Sequence, residues 1–227
     1  MTAPALRVRD LSKRFRDPEG GEREVLSLPA LDVAAGEEVA VAGESGSGKT
    51  TLLHVVSGIL LADAGTVEVA GEAMTGLSEA ARDRLRARRI GYVFQTFNLL
   101  ASLTALENVE LGMTFRPREG ASPAAAARAA LARVGLEARL RHRPHQLSTG
   151  QQQRVAIARA LAGKPSLVLA DEPTSNLDKA AGEACLALLR EFAKESGAAL
   201  LVVSHDLGVL ARFPRVVRLL EPAGTAP

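Results

Sequence analysis

The chain has 227 residues, enough for one large domain or for a core carrying an inserted lobe. Hydrophobic residues make up 47% but aromatics only 3%, so Leu, Val, Ile and Ala must fill the core. Charge is nearly balanced, 28 basic against 26 acidic residues, which gives no electrostatic case for a nucleic-acid partner, and the single cysteine, Cys185, excludes an internal disulfide or a cysteine metal site.

In chain order, Leu6–Val8 and Val25–Val33 read as short strands on either side of a Gly/Pro/charged turn, Asp17–Gly21. Glu38–Ala42 is an apolar strand running straight into the glycine-rich segment Gly43–Gly48, and Thr50–Leu60 then reads as a helix. Thr66–Val69 alternates like an antiparallel strand and ends at Gly71. An Arg-rich helix, Glu79–Arg89, leads into a strand over Ile90–Phe94. From Thr104 to about Arg141 the pattern is helical, Ala-rich over Pro123–Val134 with a stop at Gly135.

Gln151–Leu161 is a further helix. Leu167–Ala170 and Ala199–Val203 are apolar runs of the kind found in strands covered on both faces. Helix Ala180–Lys194 between them gives a β-α-β unit, and its Cys185, Leu188, Leu189 and Phe192 have the spacing of a buried stripe. Val216–Leu220 reads as a last strand and Glu221–Pro227 as a loose tail. No apolar stretch approaches the ~20 residues a membrane helix needs. The chain is therefore expected to be soluble and cytoplasmic, reaching a membrane only through a partner. The fold class is α/β, with a largely parallel-sheet core over 1–96 and 151–227. A small antiparallel β flap lies near the N-terminus and a helical lobe is inserted at about 97–150.

The strongest local signal is Gly43-Glu-Ser45-Gly46-Ser47-Gly48-Lys49-Thr50-Thr51, between a strand and a helix. This is the P-loop pattern in its required context. Its glycines let backbone N–H groups curl around phosphate oxygens, where a helix N-terminus adds positive potential. Lys49 is expected to reach the β- and γ-phosphates of ATP, Thr50 to ligate Mg²⁺, and Thr51 to touch the α-phosphate. Downstream, Leu167-Val-Leu-Ala-Asp171-Glu172 delivers two carboxylates from the end of a buried strand, where α/β folds bind ligands. Asp171 is expected to hold Mg²⁺, and Glu172 to orient and polarise the attacking water.

A third motif makes the class specific. Leu147-Ser148-Thr149-Gly150-Gln151-Gln-Gln-Arg154, continuing to Arg159-Ala-Leu, resembles the signature sequence of ABC (ATP-binding cassette) ATPases, and Gln151 lies 20 residues before Asp171. A serine hydroxyl and backbone N–H groups at a helix start make a second anion site. In that family this site, here Ser148, Gly150 and Gln151, covers the γ-phosphate held by the other subunit. The resemblance implies a RecA-like P-loop core and extends over nearly the whole chain. Phe15 matches the aromatic that stacks on adenine, Gln95 the glutamine that senses Mg²⁺ and the attacking water, and His205 the switch histidine of the γ-phosphate. Ser175-Asn-Leu-Asp178 matches the loop that crosses the dimer interface. Two departures stand out: Thr149 where the family usually has Gly, and Glu44 where it often has Pro.

One P-loop and one signature that face different nucleotides imply a head-to-tail homodimer with ATP between the subunits. The segment Thr96–Leu103 and the helical lobe are the expected docking surface for an integral membrane permease. Arg88-Arg-Ile-Gly-Tyr-Val-Phe-Gln95-Thr-Phe-Asn-Leu-Leu100 and Leu169-Ala-Asp-Glu-Pro-Thr-Ser-Asn-Leu-Asp178 resemble the bacterial group of lipoprotein-release, macrolide-export and FtsE-like ATPases. That places the chain as a peripheral subunit on the inner face of the cell membrane. The competing reading is a soluble ABC ATPase of the iron–sulfur-assembly type, which has no permease.

Overall fold

The computed structural model describes residues 3–16, 20–114 and 122–220. Residues 17–19 of the expected turn, part of the helical stretch (115–121) and the tail after Leu220 lie outside the described residues. The first two strands, β1 (Leu6–Arg16) and β2 (Glu22–Val33), form an antiparallel pair much longer than the sequence pattern implies. Their outer thirds are charged, so apolar alternation alone underestimates them. Two shorter strands, β4 (Ala64–Val69) and β5 (Glu72–Ala73), complete a four-stranded sheet in the order β2-β1-β4-β5.

The second sheet is parallel throughout. It contains β3 (Glu38–Ala42), β6 (Ile90–Val93), β7 (Leu167–Asp171), β8 (Ala199–Ser204) and β9 (Arg215–Arg218), in the order β6-β7-β8-β3-β9. Successive side chains of a strand point to opposite faces, and here both faces are covered. Val39, Val41, Leu167, Leu169, Ala199, Leu201 and Val203 pack toward the antiparallel sheet and helix α1 (Lys49–Val56). Ala40, Val168, Ala170, Leu200 and Val202 pack toward the remaining long helices. That two-sided burial explains why these strands read as unbroken apolar runs.

Helix α1 stops four residues earlier than expected. Ser57 and Gly58 close it, and the Ile59 N–H bonds back to the His54 carbonyl. Arg-rich α2 (Glu79–Arg89) buries only Leu85 and runs into β6. The expected helical stretch beyond Thr104 is two helices, α3 (Ala105–Leu111) and α4 (Pro123–Arg133), followed by single 3₁₀ turns. Thr104 and Glu107 cap α3 reciprocally, and Ser122 with Pro123 starts α4. Helix α5 (Thr149–Leu161) packs on both and on β6. The apolar cluster is continuous from β7 and β8 through α5 into α3 and α4.

Helix α6 (Lys179–Ser196) buries Cys185, Leu189 and Phe192 as one stripe, with Leu188 partly buried beside them. A four-residue turn of helix, α7 (Leu207–Leu210), and strand β5 have no counterpart in the sequence reading. Because β3, β6, β7 and β8 are all parallel, the loops that follow them leave from one edge of the sheet. The P-loop, Gln95, Glu172 and His205 are in those four loops.

Candidate nucleotide-binding and hydrolytic site

The loop between β3 and α1 is shaped by close backbone approaches. Gly48 has φ 88°, and a Cβ there would fall 2.2 Å from the Val25 carbonyl oxygen of β2. At Gly43 a Cβ would meet the Ser47 hydroxyl at 2.3 Å. No larger residue fits either position without moving backbone or Ser47. Lys49 is buried at the loop's mouth, where its Nζ donates to the carbonyls of Gly43 (2.8 Å) and Glu44 (2.6 Å). The Ser47 hydroxyl is buried with no hydrogen-bond partner among the described residues. Ser45 and Gly46 are exposed at the tip, Thr50 and Thr51 start the helix, and the Glu44 side chain faces solvent.

Thr50 joins this loop to the end of β7, its Oγ1 donating to Asp171 Oδ1 at 3.2 Å. Asp171 is almost fully buried, and burial pushes its carboxyl above the usual carboxylate range; the Thr50 hydrogen bond and the charges of His54 and Lys49 act the other way. A hydroxyl and a carboxylate so close together are hard oxygen donors of the kind Mg²⁺ takes, and a cation would offset the cost of ionising Asp171. Among the described residues no group of three or more His, Cys, Asp or Glu side chains could hold a metal. An ion here would draw its other ligands from phosphate and water.

Glu172 stands one residue past the strand with φ 42°, a left-handed backbone that non-glycine residues adopt at a cost of roughly 1–3 kcal/mol. Its N–H bonds to the Val203 carbonyl. Its carboxylate accepts from the Ser204 hydroxyl (3.2 Å) and the His205 N–H (3.1 Å), and His205 Nδ1 lies 2.7 Å from the same oxygen as that N–H. A carboxylate only accepts, so Nδ1 carries the proton. The rest of the imidazole, 63% exposed, faces outward. Gln95 lies on the other side. Its Nε2 reaches the Ser175 hydroxyl at 3.5 Å, that hydroxyl donates to the Glu172 carbonyl, and Asn176 donates to the Gln95 carbonyl.

The structure thus gathers Lys49, Thr50, Asp171, Glu172, His205 and Gln95 at one sheet edge. Phe15 sits apart on β1, 40% exposed, with Lys13 Nζ 5.6 Å from its ring centroid. It pairs with Arg23 of β2, two residues from the Val25 carbonyl that abuts Gly48, so one strand spans from P-loop to aromatic. Ser148, Gly150 and Gln151 also stand apart. Ser148 Oγ accepts from Gln151 N–H and Gln151 Oε1 accepts from Ser148 N–H, a capping box at the start of α5. Thr149 is exposed in its first turn.

Two side chains at the site were not singled out from sequence. Ser204 is fully buried, and its only sequence signal is a hydroxyl ending an otherwise apolar run. Gln153 is buried in α5 and donates to the Pro173 carbonyl, linking the signature helix to the residue after Glu172. Its side-chain type alone does not distinguish it from its neighbours Gln151 and Gln152.

The comparisons with known proteins agree with this architecture. A family model described as "ABC transporter" matches residues 26–175, and the chain belongs to that family. It is an ATP-binding, ATP-hydrolysing cassette. It is 47% identical over 216 residues to the lipoprotein-releasing system ATP-binding protein LolD of Chromohalobacter salexigens, covering 94% of this chain and 90% of the relative. It is 45% identical over 203 residues to the ABC transporter ATP-binding protein YbbA of Escherichia coli K12, covering 88% and 89%. A solved dimeric, post-hydrolysis structure of the ATP-binding cassette MJ0796 bound to ADP and Pi superposes with a TM-score of 0.87 at 37% identity. That match covers 95% of this chain and 94% of that one.

Proposed function

We propose that this chain is the ATPase subunit of a membrane transporter of the lipoprotein-release or related force-transmitting type. It would work as a head-to-tail dimer at the inner face of the cell membrane. The P-loop backbone from Gly43 to Gly48 wraps the phosphates of ATP, Lys49 neutralises the β- and γ-phosphates, Thr51 reaches the α-phosphate, and Phe15 stacks on adenine. Thr50 and Asp171 would hold Mg²⁺ with Gln95 beside it, and the ion would supply neutralisation of phosphate charge. Glu172 orients the water that attacks the γ-phosphorus, and His205 contacts the γ-phosphate. The observation that carries this reading is the Glu172 carboxylate, fixed by Ser204 and His205 beside the Thr50–Asp171 pair.

Ser148, Gly150 and Gln151 act on the nucleotide of the second copy. Support comes from Gly150. A Cβ there would meet nothing closer than Ala181 at 3.9 Å, an ordinary contact, and its φ is not positive. This chain's own packing therefore does not require the glycine. The open space beside it leaves room for another molecule to come close to the backbone.

The helical lobe at about 97–150, with the segment after Gln95, docks on the permease. Leu100 and Leu111 are exposed apolar side chains on that side, 48% and 38% accessible. Among the described residues no helix is long and apolar enough to cross a membrane, so a separate membrane subunit would supply the spanning part. The test uses Glu172→Gln, locked with Mg-ATP, as bait in detergent-solubilised membranes of its own source. Recovery of one membrane protein with a large external domain supports the transporter. Recovery of soluble partners alone, by bait that binds ATP, would move the assignment to an assembly factor.

A further inference from the structure

The turn after Gln95 has an unusual backbone. Phe97 and Asn98 are consecutive non-glycine residues in the left-handed region, with φ 60° and 48°. Such residues hold that conformation only where their surroundings fix it. Within the turn the Phe97 N–H bonds to the Phe94 carbonyl, the Asn98 N–H to the Thr96 carbonyl, and the Thr96 hydroxyl to Asn98 Oδ1. The carbonyls of Phe97 and Asn98 point elsewhere, and both are taken by one side chain. Arg159, in the last turn of α5, donates Nη2 to the Phe97 oxygen at 2.6 Å and Nη1 to the Asn98 oxygen at 2.5 Å.

Arg159 makes no ion pair among the described residues, and burial lowers its pKa to about 10, so it is still a cation at neutral pH. A half-buried cation without a carboxylate beside it adds little to a fold as a charge. Its two bonds are instead a planar fork that fixes two successive carbonyls at once. The stem of Arg159 is braced by Gly112, the residue that caps the end of α3. A Cβ on Gly112 would lie 2.8 Å from Arg159 Cγ and 3.0 Å from its carbonyl oxygen.

The same helix begins at the Ser148 cap and donates from Gln153 to the carbonyl after Glu172. One rigid element of 13 residues therefore touches the signature, the Glu172 strand end and the Gln95 turn. Resting on the reading of Gln95 as the group that addresses the metal and the attacking water, we propose that Arg159 is a positioning residue. It holds the 96–98 turn, and so ties the placement of Gln95 to the tilt of α5.

The test compares Arg159→Lys, Gln95→Ala and the double variant in Mg-ATP hydrolysis by the purified protein, with hydrogen exchange on each. Lysine keeps the charge and stem but cannot fork across two carbonyls. Arg159→Lys is expected to lower kcat by about ten-fold with KM changed less than about two-fold, and in the Gln95→Ala background to add less than about two-fold. Amides of residues 96–99 exchange faster in Arg159→Lys, while those of 155–158 in α5 keep their protection. Gly112→Ala pushes on the arginine without removing it and should open the same amides, which covers the case of an unfolded Arg159→Lys.

Losses in kcat that multiply in the double variant, or unaltered exchange at 96–99 in both Arg159→Lys and Gly112→Ala, would overturn the proposal. A Gln95→Ala variant with normal kcat would instead overturn the reading of Gln95. The hold of Arg159 on the turn is then judged by the exchange data alone.

Discussion

Glu172 accepts from three donors, and all three come from Ser204 and His205. This arrangement decides what a glutamine would do there. Its carbonyl oxygen can still accept from both His205 groups, and its amide nitrogen can donate to Ser204, whose hydroxyl rotates to accept. Glu172→Gln should therefore fold and bind Mg-ATP within a few-fold of the native protein. What it lacks is a charge to polarise water, a contribution of about 10²–10⁴-fold in rate. Single-turnover hydrolysis beside nucleotide binding measures both halves, and near-normal hydrolysis would remove Glu172 from this role. The pair Asp171 and Glu172 was legible in the sequence because two carboxylates end an apolar run. Ser204 and the hold of Arg159 on the 96–98 turn were not, since a serine or an arginine means something only once its acceptor is known. In Arg159 those acceptors are two carbonyls 61 and 62 residues away.

Among the elements, period was the readable quantity. Strands β7 and β8 are buried on both faces and show as apolar runs, and α6 is long enough for its stripe to repeat. Strand β5 has two residues and α7 four, too few for either period to appear, so only tertiary contacts reveal them. The α6 stripe carries its own prediction. Burial raises the Cys185 thiol to about 11, and its Sγ lies 3.5 Å from the Pro173 carbonyl. Between pH 9 and 11 the folded protein keeps a proton that the unfolded chain has lost. Stability should therefore fall as pH rises from about 9 to about 11, and this group adds no pH dependence below 9. Cys185→Ala should remove that part of the slope in pH-dependent unfolding. At pH 8 a thiol reagent should modify native Cys185 at least about a hundred-fold more slowly than the denatured chain. Rapid native modification would mean that the helix opens at this end.

At the scale of the whole molecule, the sheet edge collects one set of proposed phosphate-binding groups, while the side chains of Ser148 and Gln151 bond to each other's backbone in the cap of α5. Among the described residues no hydrogen bond joins 43–51 to 148–151. The proposed ATP-sandwiched dimer uses the signature on another copy's nucleotide, and Ser148 separates that role from the helix cap. Aspartate caps a helix as well as serine does, so Ser148→Asp should leave the melting temperature within a few degrees and P-loop nucleotide binding intact. It also places a negative charge where the partner's γ-phosphate would dock, and two like charges about 4 Å apart repel by about 4 kcal/mol at a protein surface. In sedimentation velocity, Glu172→Gln with Mg-ATP should move from 23.8 kDa to about twice that mass, and with Mg-ADP should stay at the lower value. Adding Ser148→Asp should hold it at the lower value even with Mg-ATP bound. A dimer that survives the aspartate would place the interface elsewhere, and an ATP-bound Glu172→Gln that stays monomeric would leave the composite site without support.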